Sequence, residues 1–166
     1  MGQLLYLICN KNKKHKKGFL LGTGMLFPKL YTDTVKKIKK GKYGEEIKKF
    51  LEENPKGAIN CNSEIVRCSK CGNLKEVLNL SMYVPRKNNK DTNDSYVSPW
   101  KLRGKYKKVK EYKHICPKCS TVMKKVKVKY NEFGEITEVE KLKCPKCDGF
   151  AEWDGEIALW DQICCR

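Results

Sequence analysis

Histidine is nearly absent from this 166-residue chain, which has only His15 and His114. Two imidazoles leave little general acid–base machinery. The motifs that would put them to catalytic use are also missing. No His-Glu-x-x-His signals a metalloprotease. Neither histidine opens the His-x-Glu that zinc deaminases place upstream of Pro-Cys-x-x-Cys, and here the prolines lie inside the cysteine pairs, at Pro117 and Pro145. Gly22-Thr-Gly24 lacks the lysine and spacing of a phosphate-binding loop and reads as a tight turn. A non-catalytic protein is expected.

Long apolar runs are lacking too. Residues 4–9 form the one early apolar stretch; no basic segment precedes it and Lys11, Lys13 and Lys14 follow at once, so it reads as a buried strand rather than an export signal. Tyr6 stands where a myristoylation motif wants Ser or Thr. Nothing approaches the roughly 18 apolar residues of a membrane helix. The expectation is a cytoplasmic protein with no membrane partner, whose thiols stay reduced or sit on metal. Arginine is scarce as well, with four in the chain. That argues against sequence-specific base readout, which favours the guanidinium fork.

Cysteine is abundant, at ten residues. Three Cys-x-x-Cys pairs occur: Cys68/Cys71, Cys116/Cys119 and Cys144/Cys147. Two cysteines at this spacing, followed by a turn-forming residue, make a knuckle that aims both sulfurs at one point, and two knuckles complete a tetrahedron. Gly72 suits the turn, Asp148-Gly149 can adopt it, and Ser120 suits it less well. Residues 120–143 read as a hairpin: Val126, Val128 and Tyr130 alternate with lysines, a turn follows at residues 131–134, and residues 136–142 return. Knuckle, hairpin and knuckle make a zinc ribbon, so Cys116, Cys119, Cys144 and Cys147 are expected to hold one structural Zn²⁺. A redox dithiol would sit beside a βαβ pattern, which is not seen.

Cys68 and Cys71 then need partners from elsewhere. Cys9 ends an apolar strand as the first cysteine of a knuckle would, but Asn12 stands where the second belongs. His15 completes a Cys9, His15, Cys68, Cys71 set, with Cys61 as the competing ligand. The alternative is a decayed site without metal. Four cysteines hold iron as well as zinc, and only the prevalence of zinc favours it. Cys164 and Cys165 are adjacent, which suits no shared tetrahedral site, and read as an exposed tail.

Gly22-Thr-Gly-Met25, Phe27-Pro28, Gly41-Lys-Tyr-Gly44, Cys68-Ser-Lys-Cys-Gly72, Leu80 and Tyr83-Val-Pro85 together resemble a group of small zinc-ribbon proteins of Gram-positive bacteria. The resemblance covers residues 5–85, and more loosely the C-terminal ribbon. It implies that an N-terminal cysteine pair joins a later one; Asn12 departs from that pattern. It implies a fold and no activity.

The chain therefore reads as an α+β protein of two zinc-ribbon-like modules, residues 1–85 and 100–166, joined by a polar linker at 86–99. The first carries a helical insertion over residues 33–53, where Val35 and Ile38, then Ile47, Phe50 and Leu51, form two stripes broken by Gly41 and Gly44.

Charge is the remaining signal. Thirty-six basic against 19 acidic residues give +17, reduced by about 2 for each four-thiolate zinc centre. Residues 101–129 hold twelve Lys or Arg against Glu111 alone, whereas residues 130–165 hold nine acids against three bases. A second basic cluster lies at 36–42. Lys105, Lys107, Lys108, Lys125, Lys127 and Lys129 are the expected phosphate contacts, with Tyr106, Tyr112 and Trp100 as rings for unpaired bases. Each ring taken singly is as well explained by a core, and lysine-rich surfaces also serve solubility. The acidic segment offers an alternative by folding back on the basic one. Nucleic acid is the first partner expected and an acidic protein the second.

Overall fold

A computed structural model describes residues 2–24, 26–87 and 96–160, except the side chains of 157–160. Much of the expected linker and the Cys164/Cys165 tail lie outside the described residues. The chain is mixed α+β, with twelve short strands in four small sheets and three helices among the described residues. None of these helices is long and apolar enough to cross a membrane.

Strands β1 (Gly2–Cys9) and β2 (Lys16–Leu21) form a hairpin, confirming the apolar run at 4–9 as a strand. Leu5, Leu7 and Cys9 alternate into the core, the two-residue period of a half-buried strand. Helices α1 (Phe27–Lys39) and α2 (Glu45–Glu53) replace the single interrupted helix expected over 33–53. Gly41 and Gly44 adopt φ of 79° and 96°, a left-handed turn that separates them. Helix α1 begins six residues before Asp33 because Pro28, with its preset φ, occupies the first turn.

Next come β3 (Ala58–Ile59), β4 (Ser63–Arg67), β5 (Leu74–Leu78), β6 (Met82–Pro85), helix α3 (Pro99–Lys105) and β7 (Tyr106–Lys110). Ser98 caps α3 by accepting from the Lys101 N–H. The last strands are β8 (Lys124–Lys125), β9 (Val128–Tyr130), β10 (Ile136–Val139), β11 (Leu142–Lys143) and β12 (Phe150–Trp160).

Sheet order corrects the two-module reading. One sheet runs β11-β12-β1-β2, a second β5-β4-β8 and a third β3-β6-β7. Each mixes strands from both sides of the expected 86–99 boundary. The hairpin expected at 120–143 is present as β9–β10, turning at Asn131, but its feet part company. β8 pairs with β4 through Val66 and Arg67, while β11 pairs with β12, which lies against β1. That divergence decides which cysteines meet.

Burial follows the sheets. The three helices cover β3-β6-β7 around Ile38, Ile47, Ile59, Leu80 and Met82. Leu5, Phe19, Ile65, Val126 and Leu142 fill a second core between the other sheets. Cys61 belongs to the helical core, where burial pushes its thiol up to about 12 against a bond to Thr34. It is therefore removed from both metal clusters, and the expectation of Cys61 as a ligand is corrected.

Candidate metal centres and basic surface

All three Cys-x-x-Cys pairs form the same backbone loop. The first cysteine's N–H donates to the carbonyl five residues on: Cys68 to Asn73 at 2.9 Å, Cys116 to Thr121 at 2.8 Å and Cys144 to Gly149 at 2.8 Å. In two of them the residue after the second cysteine donates back to the first cysteine's carbonyl, from Gly72 at 3.0 Å and Ser120 at 2.9 Å. Those residues take φ of 69° and 54°. Serine at left-handed φ carries a strain that glycine avoids. Ser120→Gly is expected to stabilise the metal-loaded protein by about 1 kcal/mol, read as a raised Tm; a lowered Tm would contradict this account.

Cys9 completes a fourth, longer loop. Its N–H donates to the His15 carbonyl six residues on, at 3.2 Å, and the His15 N–H donates to Asn12 at 2.9 Å. Asn12, at the place of the missing cysteine, puts Nδ2 3.4 Å from His15 Nε2 and accepts the Lys14 N–H. The loop turns the other ring nitrogen, Nδ1, toward Cys144 Sγ at 3.7 Å.

Two groups result among the described residues: Cys9, His15, Cys144 and Cys147, and Cys68, Cys71, Cys116 and Cys119. Within each, all ligand atoms lie within 4.8 Å of one another. The eight residues expected as ligands are thus the eight that cluster, but the expected grouping is corrected. Cys116/Cys119 does not meet Cys144/Cys147, because β8 carries the former toward β4 and β11 carries the latter toward β12 and β1. His15 and Cys9 join the last knuckle rather than Cys68/Cys71.

The spacing fits a tetrahedral ion. A metal–sulfur bond of about 2.3 Å puts neighbouring sulfurs about 3.8 Å apart, and a sulfur–imidazole edge comes to about 3.6 Å. The observed edges are 3.4 Å for Cys9–Cys147, 3.6 Å for Cys71–Cys116, 3.8 Å for Cys119–Cys71 and 3.2 Å for Cys68–Cys119. These are far longer than a disulfide bond of about 2.05 Å, and the cysteines are free thiols.

The surroundings favour thiolates at chosen sulfurs. The Thr121 hydroxyl lies 3.1 Å from Cys68 Sγ and 3.2 Å from Cys119 Sγ. With the Cys71 N–H, and against burial, it pulls Cys68 down to about 5. Burial opposes ionisation of Cys9, yet N–H groups of Asn12 and Lys11 and the Cys147 thiol bring it to about 6. Cys71 moves the other way, to about 11: the Asn73 N–H favours its thiolate, but burial and the neighbouring cysteines outweigh it. A cation would relieve that mutual repulsion by holding all four as thiolates.

Around the first group, Asn10 ties Cys9's loop to β12. Its N–H donates to the Phe150 carbonyl at 2.9 Å and its Oδ1 accepts the Phe150 N–H at 2.9 Å. Lys11 pairs with Asp148 at 2.9 Å. A cleft of about 530 Å³ separates the Cys68/Cys71 and Cys144/Cys147 knuckles, with Arg67, Lys70 and Lys143 on its walls.

The expected basic face is only partly as the sequence suggested. Lys107 and Lys108 are exposed on the edge strand β7, and Lys127 is exposed between β8 and β9. Lys125 pairs with Glu64, Lys129 with Glu138 and Lys110 with Glu46. Lys105 is exposed where α3 meets β7, and its carbonyl accepts the Arg86 N–H. Tyr106 is a correction: it is 5% exposed and sits in the helical core with Tyr31, Met82 and Leu102, so its ring offers no open stacking face. Tyr112 is half-buried and donates to the Tyr43 carbonyl. Trp100 is the open ring, 77% exposed, with the Arg103 guanidinium 5.4 Å from its centroid.

Carboxylates of the acidic segment pair chiefly elsewhere: Glu140 with Arg67, Asp148 with Lys11, Glu152 with Lys141 and Asp154 with Lys16. Glu138 does reach into 101–129, at Lys129. Compared with family models, curated proteins and solved structures, the chain matches none.

Proposed function

We propose that this is a non-catalytic, zinc-stapled binding module that associates with nucleic acid through exposed lysines of residues 101–129. The observation that carries the first half is the pair of four-ligand groups at tetrahedral spacing. Four protein ligands close a site and leave no position for water or substrate, the arrangement of structural zinc rather than catalytic zinc. The imidazole in one group favours zinc over an iron–sulfur cluster, which thiolates usually hold alone. In this reading each zinc joins loops from distant parts of the chain, and the chain stands beside the small zinc-ribbon proteins of Gram-positive bacteria that it resembles.

The second half is supported by where the acids go. Among the described residues, Lys107, Lys108, Lys113, Lys118, Lys124 and Lys127 have no ion-pair partner. The acidic segment leaves this stretch largely unneutralised, and Trp100 with Arg103 adds a ring and a planar cation suited to an unpaired base. Lysine in place of arginine suits phosphate contact without base readout.

Lys107→Glu/Lys108→Glu/Lys127→Glu is expected to weaken binding to nucleic acid at least tenfold and to flatten the log–log salt dependence by about 0.7–0.9 per lost phosphate contact. Zinc content should stay at two per chain. Unchanged affinity and slope would reject this interface.

A further inference from the structure

The two basic stretches of the sequence, 36–42 and 101–129, are far apart in the chain. The first borders a groove of about 430 Å³ beside the helical core; of 101–129, only Tyr106 is among the described residues that line it. Tyr31, Val35, Leu51, Val97 and Tyr106 supply its apolar lining. Lys36 and Lys39, on the last turn of α1, and Lys56, in the turn after α2, supply its charge. All three lysines are exposed and none has an ion-pair partner among the described residues. Among the described residues, no carboxylate lines the groove. Gly57 holds one wall tight, because a Cβ there would stand 2.8 Å from the Asn54 carbonyl oxygen.

We infer that this groove receives one unpaired nucleotide of a single-stranded nucleic acid, its base on the apolar lining and its phosphates on Lys36, Lys39 and Lys56. The inference rests on the nucleic-acid reading above and deepens it. The chemistry matches in both halves: a groove of ligand size with an apolar wall takes a planar base, and three cations on the rim take the phosphates that flank it. A duplex keeps its bases stacked inside, so it can neither fill the slot nor bring the phosphates flanking a base down onto all three rim lysines together. The groove therefore predicts a preference for single strands, which the lysines of β7 alone would not give. It also returns Tyr106 to the interface in a different role. Its ring is too enclosed to serve as an open platform, but what remains exposed lines this slot.

The test uses the zinc-loaded full chain and a single-stranded oligonucleotide carrying 5-iodouracil. Irradiation is expected to crosslink the base to Tyr31 or Tyr106, identified by mass spectrometry of the peptides. Single-strand affinity should exceed duplex affinity at least tenfold. Lys36→Gln/Lys39→Gln/Lys56→Gln, all surface positions, should remove most of that preference, whereas Lys107→Gln/Lys108→Gln should weaken single strand and duplex alike. Val35→Trp, which fills the groove, should abolish the crosslink with both zinc ions retained. If binding persists but crosslinks fall only outside the groove, or the rim variant keeps its single-strand preference, the groove is overturned and the nucleic-acid reading stands. If no nucleic acid binds near physiological salt, both fall. Rim-dependent binding of polyglutamate in that case would assign the groove to an acidic protein.

Discussion

Stripped of metal by a chelator, the chain is expected to lose its tertiary structure and to regain it only when two equivalents of zinc return. Each ligand group joins two loops that are far apart in the chain. Cys68 and Cys71 close the β4–β5 turn while Cys116 and Cys119 lie between β7 and β8. Cys9 and His15 close the β1–β2 turn while Cys144 and Cys147 precede β12. Structural zinc contributes an apparent 10–16 kcal/mol or so per site near neutral pH. That is as large as the roughly 5–15 kcal/mol net stability of an ordinary domain. Apo protein should therefore show a collapsed near-ultraviolet circular dichroism signal, and acid should mimic the chelator, since protons compete for the thiolates. An apo form that keeps its native signal would end the idea of metal staples. The grouping has its own test. Cys116→Ser/Cys144→Ser should lose both zinc ions, since the two residues belong to different groups; Cys9→Ser/Cys144→Ser should lose one. The grouping expected from the sequence, Cys116/Cys119 with Cys144/Cys147 and Cys9/His15 with Cys68/Cys71, would give the reverse.

Gly149→Ala is the smallest change expected to weaken one metal site selectively. A Cβ at Gly149 would stand 2.9 Å from Cys9 Sγ and 2.9 Å from Asn10 Oδ1. Neither neighbour can yield cheaply: the sulfur of buried Cys9 lies 3.4 Å from Cys147 Sγ, and the amide oxygen accepts the Phe150 N–H. Overpacking of this kind costs about 1–3 kcal/mol. It falls on the geometry of the Cys9, His15, Cys144, Cys147 group, so zinc there should bind at least tenfold more weakly. The second zinc should be untouched. Titration against a chromogenic chelator separates the two, and equal retention of both ions would refute the contact. The glycine is thus required for space rather than for φ, unlike Gly72 with its φ of 69°.

Local pattern made much of this fold legible. The two stripes of Val35/Ile38 and Ile47/Phe50/Leu51 gave helices, and the alternation of Val126, Val128 and Tyr130 gave the hairpin. Cys-x-x-Cys spacing named six of the residues that cluster, and the lone Cys9 with His15 named two more. What spacing does not carry is which half-site meets which. A knuckle's geometry is set within six residues, but its partner is set by long-range strand pairing, and nothing in residues 120–143 announces that Lys124 and Lys125 leave the hairpin for Arg67 and Val66. The burial of Tyr106 was hidden for a similar reason. It opens a strand whose next four residues are all exposed, so periodicity has no repeat to read. Its packing partners Tyr31 and Met82 arrive from distant elements.

The pairing of β1 with β12 also bears on synthesis. Cys9 and Cys147 are 138 residues apart. At a translation rate of roughly 5–20 residues per second, Cys9 and His15 would wait on the order of ten seconds for their partners. Cys68 and Cys71 wait for a shorter stretch, since Cys116 follows Cys71 by 45 residues. Strand β1 likewise has its hairpin partner β2 early and its other neighbour, β12, last. The nascent chain thus passes through a stage in which the Cys68/Cys71 centre is complete while a Cys–His half-site stands open on an unpaired strand edge. During that interval the protein is most vulnerable to wrong metals and to pairing between chains.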